Sequence, residues 1–225
     1  MAIIVVGGHT RNIGKTSVVA GIIAAFPQYN WTAFKITQVG HGICSANAEP
    51  CDCATDAHTI AVTEERNAAS GTDSARFLRA GAARSFWVRT RQGQLAEAMP
   101  RIRKELDRSE NAILESNSIL RFLQPDLYLT VLNVSVADFK PSAQYFLDRA
   151  DAVLLSSSPE RATLAWPQAL LRIVKEKPHF PVAPPSFMSS ELEGFLAQRL
   201  SMLNERSLDS GRHKLAYQHG SRHHG

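Results

Sequence analysis

Ala2, Ile3, Ile4, Val5 and Val6 form an unbroken apolar run, mostly β-branched, which is the pattern of a strand covered on both faces. A glycine-rich polar stretch follows. Val18 to Phe26, apolar nearly all round, then predicts a buried helix that stops at Pro27. Trp31 to Thr37 reads as a second strand, reached by the right-handed crossover that parallel pairing demands. Lys35 sits inside it, either as an edge residue extending to water or as a cation aimed at a site. Runs at 85–90, 111–116, 127–134, 152–156 and 180–183 read as further strands, and segments at 95–106, 141–149, 167–175 and 189–203 as helices. Pro100 must bend the first of these helices or mark its start, whereas Pro141 suits a first helical turn. Such alternation predicts an α/β fold, a doubly wound and mainly parallel sheet with helices on both faces. Ligands in such folds bind outside the strand carboxyl ends. The expected organisation is one domain over 1–205, a loop insertion at about 38–75, and a flexible polar, His-rich tail over 206–225.

The stretch between the first strand and the first helix carries the clearest chemistry. Gly7-Gly8-His9-Thr10-Arg11-Asn12-Ile13-Gly14-Lys15-Thr16-Ser17 places a glycine-rich loop and a Lys-Thr pair where a strand turns into a helix. That is the setting of a phosphate-binding P-loop. Backbone N–H groups from Gly8 through Asn12, Ile13 and Gly14 to Ser17 can wrap a β-phosphate, aided by the positive end of the helix. Lys15 would bridge the β- and γ-phosphates, and the Thr16 hydroxyl would ligate Mg²⁺. Five residues separate Gly8 from Gly14, one more than in the usual motif. This longer loop resembles that of the dethiobiotin synthetase branch of P-loop proteins.

Three other places carry candidate chemistry. Glu115 ends an apolar strand, where a carboxylate either holds Mg²⁺ or is simply solvated. Asp73 suits capping of the helix that Ser74-Ala75-Arg76 begins, and Arg76 either supplies charge to a γ-phosphate or, with Arg79, covers an exposed helix face. Cys44, Cys51 and Cys53 lie between His41 and His58. Three thiolates and His41 would complete a tetrahedral zinc site, or the thiolates would hold an iron–sulfur cluster; the alternatives are plain reduced cysteines or a redox disulfide.

Composition narrows the partners. With 25 basic and 21 acidic residues the net charge of +4 is mild and dispersed, so nucleic acid is not expected. Hydrophobic residues at 44% exclude wholesale disorder, and the longest apolar run is too short to cross a membrane. No basic segment precedes the first apolar run, and the three cysteines make an odd number, so a cytoplasmic protein without a disulfide framework is expected.

The P-loop, the strand with Lys35, Gly71-Thr72-Asp73-Ser74-Ala75-Arg76 ahead of Ala80-Gly81-Ala82, and Ile113-Leu114-Glu115 together resemble the molybdopterin-guanine dinucleotide biosynthesis protein B family. The resemblance spans roughly 1–160. Thr72 stands where that family has lysine, Ser116 where it has glycine, and only His41 remains of its His-rich stretch. Membership of that dimerising class, which includes dethiobiotin synthetase and metal-insertion GTPases, implies a homodimer and a partner among cofactor-assembly proteins. It also implies that Asp73 lies near phosphate or a partner subunit, that Arg76 or Arg79 acts on the nucleotide of the facing chain, and that Asn133 touches a base edge. Val134 and Val136 interrupt any guanine-reading motif after Asn133, and ATP and GTP both stay open. The expected function is a slow, Mg²⁺-dependent nucleoside triphosphatase in cofactor or metal-centre assembly. A small-molecule kinase or ATP-dependent ligase and a nucleotide-switched metallochaperone are the alternatives.

Overall fold

A computed structural model describes residues 1–40, 60–156 and 166–220, with side chains of 206–220 excepted. Eight strands form one sheet: β1 (Ile3–Gly8), β2 (Trp31–Val39), β3 (Ile60–Glu65), β4 (Arg84–Arg91), β5 (Asn111–Glu115), β6 (Leu127–Leu132), β7 (Ala152–Leu155) and β8 (His179–Pro181). Their order is β3-β4-β2-β5-β1-β6-β7-β8, and every pairing is parallel except that of β3 with β4. The helices are α1 (Lys15–Ala25), α2 (Asp73–Arg79), α3 (Leu95–Leu106), α4 (Pro141–Phe146), α5 (Gln168–Glu176) and α6 (Ser190–Gly220). This is the doubly wound α/β architecture that the alternation predicts.

The continuous apolar pattern of β1 has its reason in the two layers. Ile4 and Val6 enter the core beneath α1, α2 and α6, while Val5 enters the opposite core beneath α3. α1 is apolar around most of its circumference because the sheet covers one side and α2 another, and Leu192, Leu196 and Leu200 of α6, at four-residue spacing, join the same core. Val18, Val19, Ile22 and Ile23 are wholly buried there.

Three features depart from the sequence reading. β3 was expected to be loop; its mixed run Ile60-Ala61-Val62-Thr63-Glu64-Glu65 is an antiparallel edge strand, which needs no apolar face on both sides. α3 begins at Leu95 and continues past Pro100, which is exposed, so that proline does not mark its start. α6 continues to Gly220 rather than ending near 203, because no proline interrupts 204–220.

The order of strands positions the site. β1 is central, flanked by β5 and β6, so the loop leaving its carboxyl end is met from both sides. Register then sets Val6 beside Glu115, Glu115 beside Lys35, and Lys35 beside Trp87 across four neighbouring strands. Partners in a parallel register share a face, so these groups converge at one edge of the sheet.

Candidate functional site

The loop from β1 to α1 is shaped by its glycines. A Cβ at Gly7 would stand 2.1 Å from the Asn117 Oδ1 and 2.8 Å from the Tyr128 hydroxyl, so only glycine lets β1 pass. Asn117 then latches the loop: its Oδ1 accepts from the Gly8 N–H at 2.8 Å and its Nδ2 donates to the Gly8 carbonyl at 2.8 Å. Gly14, at φ 95°, makes the left-handed step into α1, and Asn12 has φ 58°. No side chain caps α1 at Gly14, which leaves the first-turn N–H groups without a side-chain acceptor. Lys15 folds back over the loop, its ammonium donating to the Thr10 carbonyl.

Beside the loop lies a compact ionic cluster. The Thr16 hydroxyl donates to the Glu115 Oε2 at 2.8 Å, and the Lys35 ammonium reaches the Glu115 Oε1 at 2.6 Å, the Asp73 Oδ2 at 2.7 Å and the Thr16 Oγ1 at 3.2 Å. Glu115 is only 3% exposed and is therefore no solvated strand-end carboxylate. β2 is interior to the sheet, so Lys35 is not an edge residue either; it serves the cluster. Asp73 does not cap α2. Thr72 does, its hydroxyl accepting from the Ala75 N–H at 3.1 Å, which frees Asp73 in the first turn to pair with Lys35. Arg76 donates to the Ser17 hydroxyl of its own chain at 2.8 Å, whereas Arg79 donates to the Ala68 carbonyl and lies away from the loop.

An open cavity of about 1330 Å³ runs over these groups. The predicted loop residues Gly8, Asn12, Ile13, Gly14, Lys15, Thr16 and Ser17 line it. So do Asp73, Arg76, Glu115 and Asn133, so the predicted phosphate and Mg²⁺ groups come together. Asn133 spends its Oδ1 on the Ser135 N–H at 3.0 Å. Pro184 and Phe187 close the cavity near Gly14, and at the other end it reaches Trp87, Gln92, Arg121 and Phe122. Burial pushes the Lys15 ammonium down to about 8, reinforced by Lys35 and Lys140 and opposed by Glu115 and Asp73. His41, Cys44, Cys51, Cys53 and His58 lie outside the described residues; among the described residues no group of three metal-ligating side chains of the His, Cys, Asp and Glu types forms.

Sequence reasoning missed Asn117, Lys140 and Phe187. Asn117 and Lys140 follow the ends of β5 and β6, and only their positions after strands that flank β1 mark them.

No family model matches the sequence, and no curated protein matches it. Among solved structures, HypB from Helicobacter pylori in complex with nickel is similar at 14% identity, over 92% of this chain and 88% of that one, with a TM-score of 0.48. LpxK from Aquifex aeolicus in complex with ATP is similar at 17% identity, over 80% of this chain and 53% of that one, with a TM-score of 0.43. The P-loop fold of this chain stands on its own strand order and loop. No helix among the described residues is long and apolar enough to cross a membrane.

Proposed function

We propose that this chain is a P-loop nucleoside triphosphatase that works with Mg²⁺. The observation that carries the reading is the cluster of Thr16, Glu115, Asp73 and Lys35 beside the Gly8–Ser17 loop. Oxygens from three side chains converge on one ammonium, and a small hard cation takes such donors. Thr16, Glu115 and Asp73 would hold Mg²⁺, which when bound neutralises charge on the β- and γ-phosphates. Lys15 contacts those phosphates, Arg76 adds charge from the α2 side, and Asn133 with Phe187 and Pro184 borders the base. The wider role, cofactor or metal-centre assembly by a homodimer, rests on the sequence resemblance.

A second reading, transfer of phosphate to a small acceptor, is favoured by the cavity. At about 1330 Å³ it exceeds the roughly 300–1,000 Å³ of an ordinary single-ligand site. Its far end at Trp87 and Arg121 lies beyond the phosphate loop.

The test is equilibrium binding of ATP and GTP with Mg²⁺. Lys15→Ala removes a charge-assisted contact of roughly 1.5–3 kcal/mol, so affinity falls about tenfold to a hundredfold. Equal affinity in wild type and a folded Lys15→Ala protein refutes the assignment.

A further inference from the structure

The loop after β6 is fastened to the phosphate loop along its length. The Lys140 N–H donates to the His9 carbonyl at 2.8 Å, and the Thr10 hydroxyl donates to the Asp138 carboxylate. His9 is fully buried between Phe139 and Trp166, with ring centroids 5.2 and 5.1 Å away. Trp166 in turn donates its indole N–H to the Val136 carbonyl at 2.9 Å. A segment held this way cannot drift from the loop without breaking a buried aromatic cluster.

Lys140 projects from that segment into the cavity shared with Gly14 and Lys15. Asp138, the carboxylate acting on it, is engaged by Thr10, and among the described residues Lys140 makes no ion pair. The charges otherwise acting on it and on Lys15 from this side are cationic: Arg11 on Lys140, and Lys140 itself on Lys15. The ammonium is pushed down from its ordinary value by burial first and by Arg11 second. Arg11, Lys140 and Lys15 gathered in this way repel one another, and a polyanion entering the cavity relieves that repulsion. Arg76 differs, because it is bonded to Ser17 and stands near Asp73, on the metal side of the loop.

We propose that Lys140 is a catalytic residue that contacts the γ-phosphate in its own chain, on the face of the phosphate loop opposite Glu115 and Asp73. The proposal rests on the nucleotide reading above and supplies the in-place cation that the loop sequence lacks. In the step, a water oxygen bonds to the γ-phosphorus while the bond from that phosphorus to the β,γ-bridging oxygen breaks. The electron pair leaves with the diphosphate, and the water proton ends on inorganic phosphate. Lys140 keeps its proton throughout and offsets charge growing on the equatorial and bridging oxygens.

The experiment compares wild type, Lys140→Ala, Lys140→Met and Lys140→Arg, each verified as folded by thermal denaturation. Probes are MgATP for turnover, and MgADP with and without tetrafluoroaluminate for binding. The expected result is a fall in kcat of about 10²–10³-fold in the alanine and methionine variants, with partial recovery in Lys140→Arg. MgADP affinity stays within about threefold, while the gain from tetrafluoroaluminate is lost. Mixing Lys140→Ala chains with Lys15→Ala chains restores nothing. Unchanged kcat, an equal loss of both affinities, or activity restored by mixing overturns the assignment. Should Lys15→Ala weaken MgATP binding while Lys140→Ala leaves kcat intact, only the Lys140 role falls. Should Lys15→Ala bind MgATP as wild type does, the nucleotide reading itself falls.

Discussion

Raising the pH should weaken nucleotide binding by discharging Lys15, in a window where few other side chains change. In the empty protein burial holds this ammonium at about 8, against an ordinary 10.5. A phosphate laid against it favours the charged form, so the bound state returns the group at least to its ordinary value. With the bound group at its ordinary 10.5, the protonated form binds more tightly by the equivalent of 2.5 pH units, on the order of 3 kcal/mol. Linkage then sets the profile: affinity is level below pH 8, drops about tenfold per unit above it, and is down about 70-fold at pH 10 relative to pH 7. The ligand contributes no slope, because a terminal phosphate ionises near pH 6.

The assay is calorimetric or fluorescence titration with ATP at fixed ionic strength. EDTA is present throughout, so that Thr16 and Glu115 hold no metal. Lys140 faces Lys15 and is also held low, so Lys140→Met serves as a second background in which the Lys15 slope must persist. Lys35 is paired with Glu115 and Asp73 on the other side of the loop. Lys15→Met should be weak and flat with pH. A wild-type affinity that changes less than about threefold from pH 7 to 10, or the same slope in Lys15→Met, refutes the reasoning.

Glu115→Gln keeps the shape of the cluster and removes one charge, so the gain in ATP affinity brought by Mg²⁺ should shrink at least about tenfold while metal-free binding does not weaken; a wild-type Mg²⁺ response in titration speaks against the metal assignment. Burial pushes the His9 imidazole below its ordinary 6.5, and the carbonyls of Val131 and Val136 face the ring without meeting hydrogen-bond geometry. Below pH 6.5 the unfolded chain binds a proton that the folded chain resists, so stability falls as pH drops from 6.5 through the folded value. Thermal denaturation at pH 7.5 and 5 should show this loss in wild type and less of it in His9→Phe.

The phosphate loop was legible because strand, glycines, Lys15 and helix are consecutive, and a local pattern reports a local structure. The cluster was half legible. Glu115, Asp73 and Lys35 each stood out, but a carboxylate at a strand end and an acid near a helix start have ordinary explanations. What decides among them is that β2 and β5 are neighbours and that register sets Lys35 against Glu115. Strand order is not written in any one segment. The same reason hid Lys140, which reaches the loop because β6 lies on the other side of β1. The Asp73 reading failed on a single residue: Thr72 could cap as well, and taking that place released Asp73 for Lys35.

That release has a consequence for how the empty site tolerates its own charge. Lys15, Lys35, Arg76 and Lys140 all line one cavity, with Asp73 and Glu115 as its carboxylates. The two carboxylates hold Lys35, and Asp73 also lies 3.8 Å from Arg76. Lys15 and Lys140 share their side of the loop, make no ion pair among the described residues, and are both held below their ordinary values, chiefly by burial. Magnesium in the carboxylate cluster would compete with Lys35 for the same oxygens and turn a further cation toward the phosphates. Metal and nucleotide are therefore expected to suit the site better together than singly: the metal alone would add positive charge, and the triphosphate alone would meet Glu115 and Asp73. Cooperative uptake of Mg²⁺ and triphosphate is the expected outcome on the proposed reading, with Lys35 as the group that couples them.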